Sequence, residues 1–331
     1  MPVFTPQPPD IKPFPSGLTP RRLPLPPARP TCYPWPMLIS DNLRGALYMN
    51  LSMFAFTVND TFMKAVTHDL PLYQTITLRG GIAVVWLLIL AAATDGLRLP
   101  SANRDRWVIF CRSMADVAAT ILFLSALMRM PLANLSAVMQ AIPLAVTLCA
   151  ALVFKDKVGW RRMTAIVVGF IGVLIIIRPG TAGFDVWSVA GLGSVLAVVV
   201  RDLSVRGLTS AVPSIIVALG AAVAVTAMGA IGVLFQGWHT PTLLQLVMIF
   251  GAGTMLPIGY ICSVTAMRVG DVGFVAPFRY TSLLWAIVLG WVAFSQLPDL
   301  FALIGASIVV ATGIYTLLRE RKLRLERAAQ A

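Results

Sequence analysis

Acidic residues are scarce: 14 Asp and Glu stand against 26 Lys and Arg in 331 residues, so that only 12% of the chain is charged. Soluble domains carry about twice that fraction, which argues against a water-facing globular protein. Histidine and cysteine are as sparse. His68 and His239 stand alone without ligand-type neighbours, which argues against a metal centre. Cys32, Cys111, Cys149 and Cys262 form no CxxC pair and read as small hydrophobes rather than a disulfide framework. No HExxH or GxSxG spacing occurs, and no cofactor is implied.

What the chain has in excess is apolar sequence, 58% hydrophobic residues with a mean hydropathy of +0.82. It falls into ten runs, at 45–66, 73–94, 107–127, 132–154, 160–178, 186–205, 212–236, 243–266, 272–294 and 299–318. Each has about the 20 residues that a helix needs to cross the hydrocarbon of a bilayer. The pattern predicts an all-α integral membrane protein with ten transmembrane helices.

Basic residues alternate between the connections. Arg98, Arg104 and Arg106 follow the second run, Lys155, Lys157, Arg161 and Arg162 the fourth, Arg206 the sixth and Arg268 the eighth; the odd connections offer only Lys64, Arg129 and Arg178. Positive charge near helix ends stays on the cytosolic side, so the even connections and both termini are expected there. The tail at 319–331, with Arg319, Arg321, Lys322, Arg324 and Arg327, agrees. The formal net charge of +12 is thereby explained by topology and by contact with membrane lipids, and no nucleic-acid partner is expected.

Residues 1–36 differ from everything after them. They hold more than half of the 23 prolines and no apolar core of a signal peptide, which predicts a disordered or polyproline-like tail. Met37 stands directly before the first helical stretch and is an alternative translation start.

Overlaying the two halves with a shift of 140 residues brings Phe154 onto Phe294, Asp156 onto Gln296 and Gln140 onto Tyr280. Identities are few. The stretches LANLSAVMQAIPLAVTLCAALVFKDKVGWRRMTAIVVGFIGVLIIIRPG and GDVGFVAPFRYTSLLWAIVLGWVAFSQLPDLFALIGASIVVATGIY, however, resemble the conserved blocks of the drug/metabolite transporter superfamily, EamA type. The resemblance implies two inverted five-helix repeats, at 37–180 and 181–318, around a mid-membrane cavity. The family commonly has a glutamate after the fourth helix of each repeat; Asp156 and Gln296 stand there instead, and neither is given a coupling role.

Because an unpaired charge inside a membrane is costly, polar residues within the runs are the candidate site. Asn59 and Asp60 lie in the first helix, with Lys64 one turn beyond Asp60 at ion-pair spacing. Arg79 lies in the second beside Gly80 and Gly81, and Arg112 and Asp116 in the third are spaced as an ion pair or gate. Gln140 in the fourth and Arg279, Tyr280 and Trp285 in the ninth fall in corresponding regions of the halves. Arg201 and Asp202 read as an interface anchor at the end of the sixth. Asn59, Asp60, Arg79, Gln140, Arg279, Tyr280 and Trp285 are the candidate substrate contacts.

The stretches NLRGALYMNLSMFAFTVNDTFMK and GDVGFVAPFRYTSLLW further resemble a bacterial inner-membrane group that includes riboflavin uptake transporters and lies near S-adenosylmethionine carriers. A secondary carrier of a small organic metabolite, riboflavin first, is therefore expected, rather than an enzyme. A carrier of another metabolite such as S-adenosylmethionine or an amino acid, a drug-like exporter, a membrane enzyme acting on lipid-linked substrates, and a receptor or scaffold docking through the proline-rich tail remain as alternatives. Sequence leaves the oligomeric state open.

Overall fold

The computed structural model describes residues 40–94, 102–153, 159–179, 185–209 and 212–328. The chain divides into Met1–Leu38 and a body, Ile39–Ala331, and all described residues belong to the body. The expectations for the proline-rich tail, Met37, Cys32 and Asp156 lie outside them.

Ten helices and no strand make up the described residues: α1 Asp41–Val66, α2 Leu72–Ala93, α3 Asn103–Arg129, α4 in two pieces Leu132–Met139 and Ile142–Val153, α5 Trp160–Ile177, α6 Val186–Ser204, α7 Ser214–Gln236, α8 Leu243–Val269, α9 from Val272 to Phe294, and α10 Leu300–Ala328. Nine of these are long and apolar enough to cross a membrane. α1 has the length, at 26 residues, but its apolar run is interrupted by Asn50, Asn59, Asp60 and Lys64. The chain is a multi-pass membrane protein. Large apolar side chains such as Val85, Ile89, Leu234 and Phe235 point outward, as expected where lipid is the solvent.

Local chemistry sets the helix ends. Ser40 starts α1 by accepting the Leu43 N–H at 3.3 Å, Asp185 starts α6 by accepting from Trp187 and Ser188 at 3.1 and 3.0 Å, and Thr242 with Gln245 forms a capping box on α8. Two helices break inside the protein. Pro143 has no N–H to return to the Met139 carbonyl, and α4 gives way at Gln140 and Ala141. Pro277 does the same in α9, which passes through a 3-10 turn, Ala276–Tyr280, before resuming at Thr281.

The helices pair in a definite order. α1 packs along α8 and α3 along α6; α2 lies on α7 and α5 on α10; α2 also touches α8 as α3 touches α7, and α1 touches α9 as α4 touches α6. The broken helices α4 and α9 meet each other. Small residues permit the closest approaches: a Cβ on Gly172 of α5 would sit 2.8 Å from the Gly305 carbonyl of α10, and one on Gly259 of α8 would sit 2.8 Å from the Phe56 ring of α1. The Ser52 hydroxyl then donates to the Gly259 carbonyl at 2.6 Å.

Each end of the bundle has its own ties. At one, the Gln74 side chain exchanges two hydrogen bonds with the His239 backbone, at 2.7 and 2.9 Å, and Arg178 pairs with Asp299 while its guanidinium lies 4.3 Å from the Phe301 ring centroid. At the other, Asp105 accepts from the Thr209 N–H and hydroxyl at 3.2 and 2.7 Å, and the Asp271 N–H donates to Asn42 at 2.9 Å.

Candidate functional site

The first polar group joins α1 to α2. Asn59, 3% exposed, donates from Nδ2 to Asp60 Oδ1 at 2.9 Å and accepts at Oδ1 from Arg79 at 3.4 Å. Its amide therefore stands between the two charges, which make no nitrogen–oxygen contact within 4.0 Å of each other. Arg79 is 7% exposed, and its Nε has no hydrogen-bond partner. Of five guanidinium donors, one is used, over a long bond.

Lys64 does not pair with Asp60 as the spacing predicted. Its ammonium donates to the Leu127 carbonyl at 2.8 Å and to the Met130 carbonyl, and lies 5.6 Å from the Phe294 ring centroid. It thus closes the C-terminal end of α3, where carbonyls lack intrahelical donors and carry the negative end of the helix dipole. This ready-made acceptor site competes successfully with a carboxylate one turn away.

The second group lies where α4 and α9 break. Gln140, 7% exposed, donates from Nε2 to Ser282 Oγ at 2.8 Å and to the Tyr280 carbonyl at 3.4 Å. That carbonyl belongs to the residue from which α9 resumes, and the break in α4 puts the amide against it. Arg279 and Tyr280, adjacent in the 3-10 turn, part company: Tyr280 is 5% exposed and turns its ring against Gly313 of α10, its hydroxyl without a partner, whereas Arg279 is exposed. Trp285 reaches α1, donating from Nε1 to Asn50 Oδ1 at 3.0 Å and meeting the Phe54 ring edge-on at a centroid distance of 4.8 Å. Phe278 packs in the same apolar cluster with Met49, Met53 and Phe56.

The third group joins α3 to α6. Arg112 and Asp116 pair at 3.2 Å as their spacing predicts, but Asp116 also accepts from Arg201 at 3.1 Å, and Arg201 from its Nε meets Asp202 at 2.9 Å. Two cations and two anions form one chain of contacts between the helices. Arg201 and Asp202 thus do more than anchor a helix end.

The structure does not bring all the sequence candidates into one cluster. Asn59, Asp60 and Arg79 form one group, Gln140 and Tyr280 another, and Trp285 joins a third contact with Asn50 and Phe54. Asn50 and Ser282 were missed; Asn50 carried a readable signal, a polar amide in the middle of an apolar run. Gln296 sits exposed beyond the end of α9, its backbone N–H donating to the Gly290 carbonyl at 3.1 Å.

Residues 43–178 match the model of the EamA-like transporter family. The chain is 26% identical over 290 residues to a riboflavin transporter of Vibrio cholerae serotype O1, covering 86% of this chain and 97% of that one. It is 25% identical over 192 residues to an S-adenosylmethionine uptake transporter of Rickettsia prowazekii; there the match covers 58% of this chain and spans 65% of the relative, just under two thirds of its length. A pseudopaline exporter of Pseudomonas aeruginosa is 24% identical, over 84% of this chain and 97% of its own. A solved crystal structure superposes with a TM-score of 0.58 at 19% identity, over 84% of this chain and 98% of that one, a likeness of fold alone.

Proposed function

We propose that this chain is a secondary carrier, a reading supported by the match of residues 43–178 to the EamA-like transporter family. It moves a small organic metabolite across a bacterial inner membrane by alternating access, with both termini cytosolic and no covalent chemistry. The observation that carries the reading is the pairing of the helices. If each helix is exchanged for the one five places away, α1 on α8 becomes α6 on α3, α2 on α8 becomes α7 on α3, and α1 on α9 becomes α6 on α4; α2 on α7, α4 on α9 and α5 on α10 map onto themselves. Pairing of this kind is what two inverted five-helix repeats produce, since an odd number of crossings reverses the second. The bond from Gln140 to the Tyr280 carbonyl joins residues 140 apart, the same shift that overlays the two halves.

In such a carrier the broken helices α4 and α9 meet at the centre, and the two contact sets, α1 with α8 and α3 with α6, are the surfaces that part in turn. Riboflavin is the first cargo to test. The aromatic pair Phe54 and Trp285 suits a planar ring, and Gln140 and Asn50 suit its hydroxyls. Expression in a riboflavin auxotroph lacking an importer is expected to restore growth at low external vitamin, and proteoliposomes are expected to take up labelled riboflavin. Absence of flux for riboflavin and for every other metabolite tried, from protein that is folded and inserted, overturns the carrier reading.

A further inference from the structure

We infer that Lys64 is the latch of an external gate, and that the structure holds the carrier closed to the outside. The inference rests on the carrier reading and its orientation, and it names the side chain that keeps one end shut. Of the four buried apolar clusters among the described residues, one alone takes residues both from the α1–α8 surface and from the α3–α6 surface. It joins Met63 of α1, Ala252 of α8 and Leu127 of α3, with Trp187 of α6 and Phe294 of α9 packed against them. Each lies within about three turns of the helix end that meets an odd connection, the side expected to be external. Toward the other end the apolar contacts separate. Met49, Ala266 and Val275 hold α1, α8 and α9 together, Leu144, Val199 and Val309 hold α4, α6 and α10, and neither cluster crosses to the other surface.

Half-buried Lys64 reaches across this seal. Its ammonium leaves α1, donates to the Leu127 carbonyl at 2.8 Å and to the Met130 carbonyl, and lies 5.6 Å from the Phe294 ring centroid, so one cation ties α1 to the ends of α3 and α9. The acceptors suit a contact that must open. Carbonyls at a helix C-terminus lack intrahelical donors and hold the ammonium, yet they carry no full charge, so parting strands no anion, as parting a buried ion pair would. A long, flexible stem then lets the ammonium turn to water. The opposite end has no equivalent. The 140-residue shift that overlays the halves puts Ser204 at Lys64, Met267 at Leu127 and Gly270 at Met130. The Ser204 hydroxyl donates within its own helix, to the Val200 carbonyl at 2.6 Å, and Arg201 one turn earlier is held by Asp116 and Asp202. The latch therefore belongs to one end, as closure at one end requires.

The test uses the full-length chain in spheroplasts, its four cysteines replaced by alanine, with one reporter cysteine and a membrane-impermeant maleimide added from outside. Ala126→Cys puts the reporter in the external seal, where the alanine is 0% exposed; Ala145→Cys, at 3% exposure in the cluster of α4, α6 and α10, is the control. Lys64→Met keeps the apolar stem and removes the donors. It is expected to raise labelling of Ala126→Cys about 10-fold, the equilibrium effect of one hydrogen bond to a charged group, and to leave Ala145→Cys unchanged. Lys64→Arg, which can donate to the same carbonyls, is expected to label like the parent. Phe294→Leu removes only the ring and is expected to raise labelling about threefold; it decides the matter if Lys64→Met does not insert. A merely structural lysine would expose both reporters together. Labelling of Ala126→Cys that is unchanged in the variants, a rise in both reporters, or a rise seen only from the cytosolic face of inverted vesicles overturns the inference. Labelling needs no cargo, so absence of flux strikes the carrier reading by itself, and flux with an unresponsive reporter strikes the latch alone.

Discussion

Replacing Asp116 by asparagine keeps the shape of the side chain and removes the one carboxylate that Arg112 and Arg201 share. The lost contacts are at 3.2 and 3.1 Å, and hydrogen bonds between charged groups contribute roughly 1.5–3 kcal/mol each. The Arg112 and Asp116 side chains are only 16% and 15% exposed, so solvent compensates little. Two terms reduce the sum: the asparagine carbonyl still accepts one neutral bond, and Arg201 keeps Asp202 at 2.9 Å. The expected destabilisation is about 2–4 kcal/mol, close to the cost of stranding one partner of a buried pair. Unfolding by SDS titration in mixed micelles measures it. Combining Asp116→Asn with Arg112→Gln removes the stranded cation, and the double variant is expected to lose less than the sum of the singles. A single variant within about 0.5 kcal/mol of the parent, the range of an ordinary surface change, would refute the network as a structural tie.

Gln140→Ala deletes the donor shared by Ser282 Oγ and the Tyr280 carbonyl and is expected to cost about 1–3 kcal/mol, because both acceptors lose a buried partner; the same SDS titration checks it, and Gln140→Glu, which cannot donate when ionised, is expected to be no better. Trp285→Phe keeps a ring against Phe54 while losing the bond to Asn50, so it is expected to cost about 1 kcal/mol, against about 3–5 kcal/mol for Trp285→Ala. Equal losses in the two variants, measured as shifts in the SDS midpoint, would place the whole contribution in the indole N–H rather than in the ring contact.

Much of the fold was legible because it depends on local chemistry. Apolar runs of spanning length gave nine of the helices to within a few residues, whereas α10 continues to Ala328, ten residues past its run; the breaks at Pro143 and Pro277 were not read from the sequence, and Pro257 lies inside α8 without breaking it. The pair Arg112 and Asp116 was legible from its spacing on one helix. Asp60 and Lys64 had the same spacing and do not pair, because Lys64 finds the open end of α3, which no local pattern reveals. Arg201 met Asp116 across 85 residues of chain, also beyond the reach of local pattern.

The sequence by itself determined that this protein lives in a bilayer, how many helices it has and which residues bring charge into them. Only the tertiary structure decided which helix lies on which and which face of each is inside. The reason is that lipid and protein core are both apolar, so a spanning helix need show no polar outer face from which its rotation can be read. Rotation is fixed instead by close approach at residues such as Gly172, Gly259 and Gly305, and it decides that Arg79 is sealed against Asn59 while Arg279 is open.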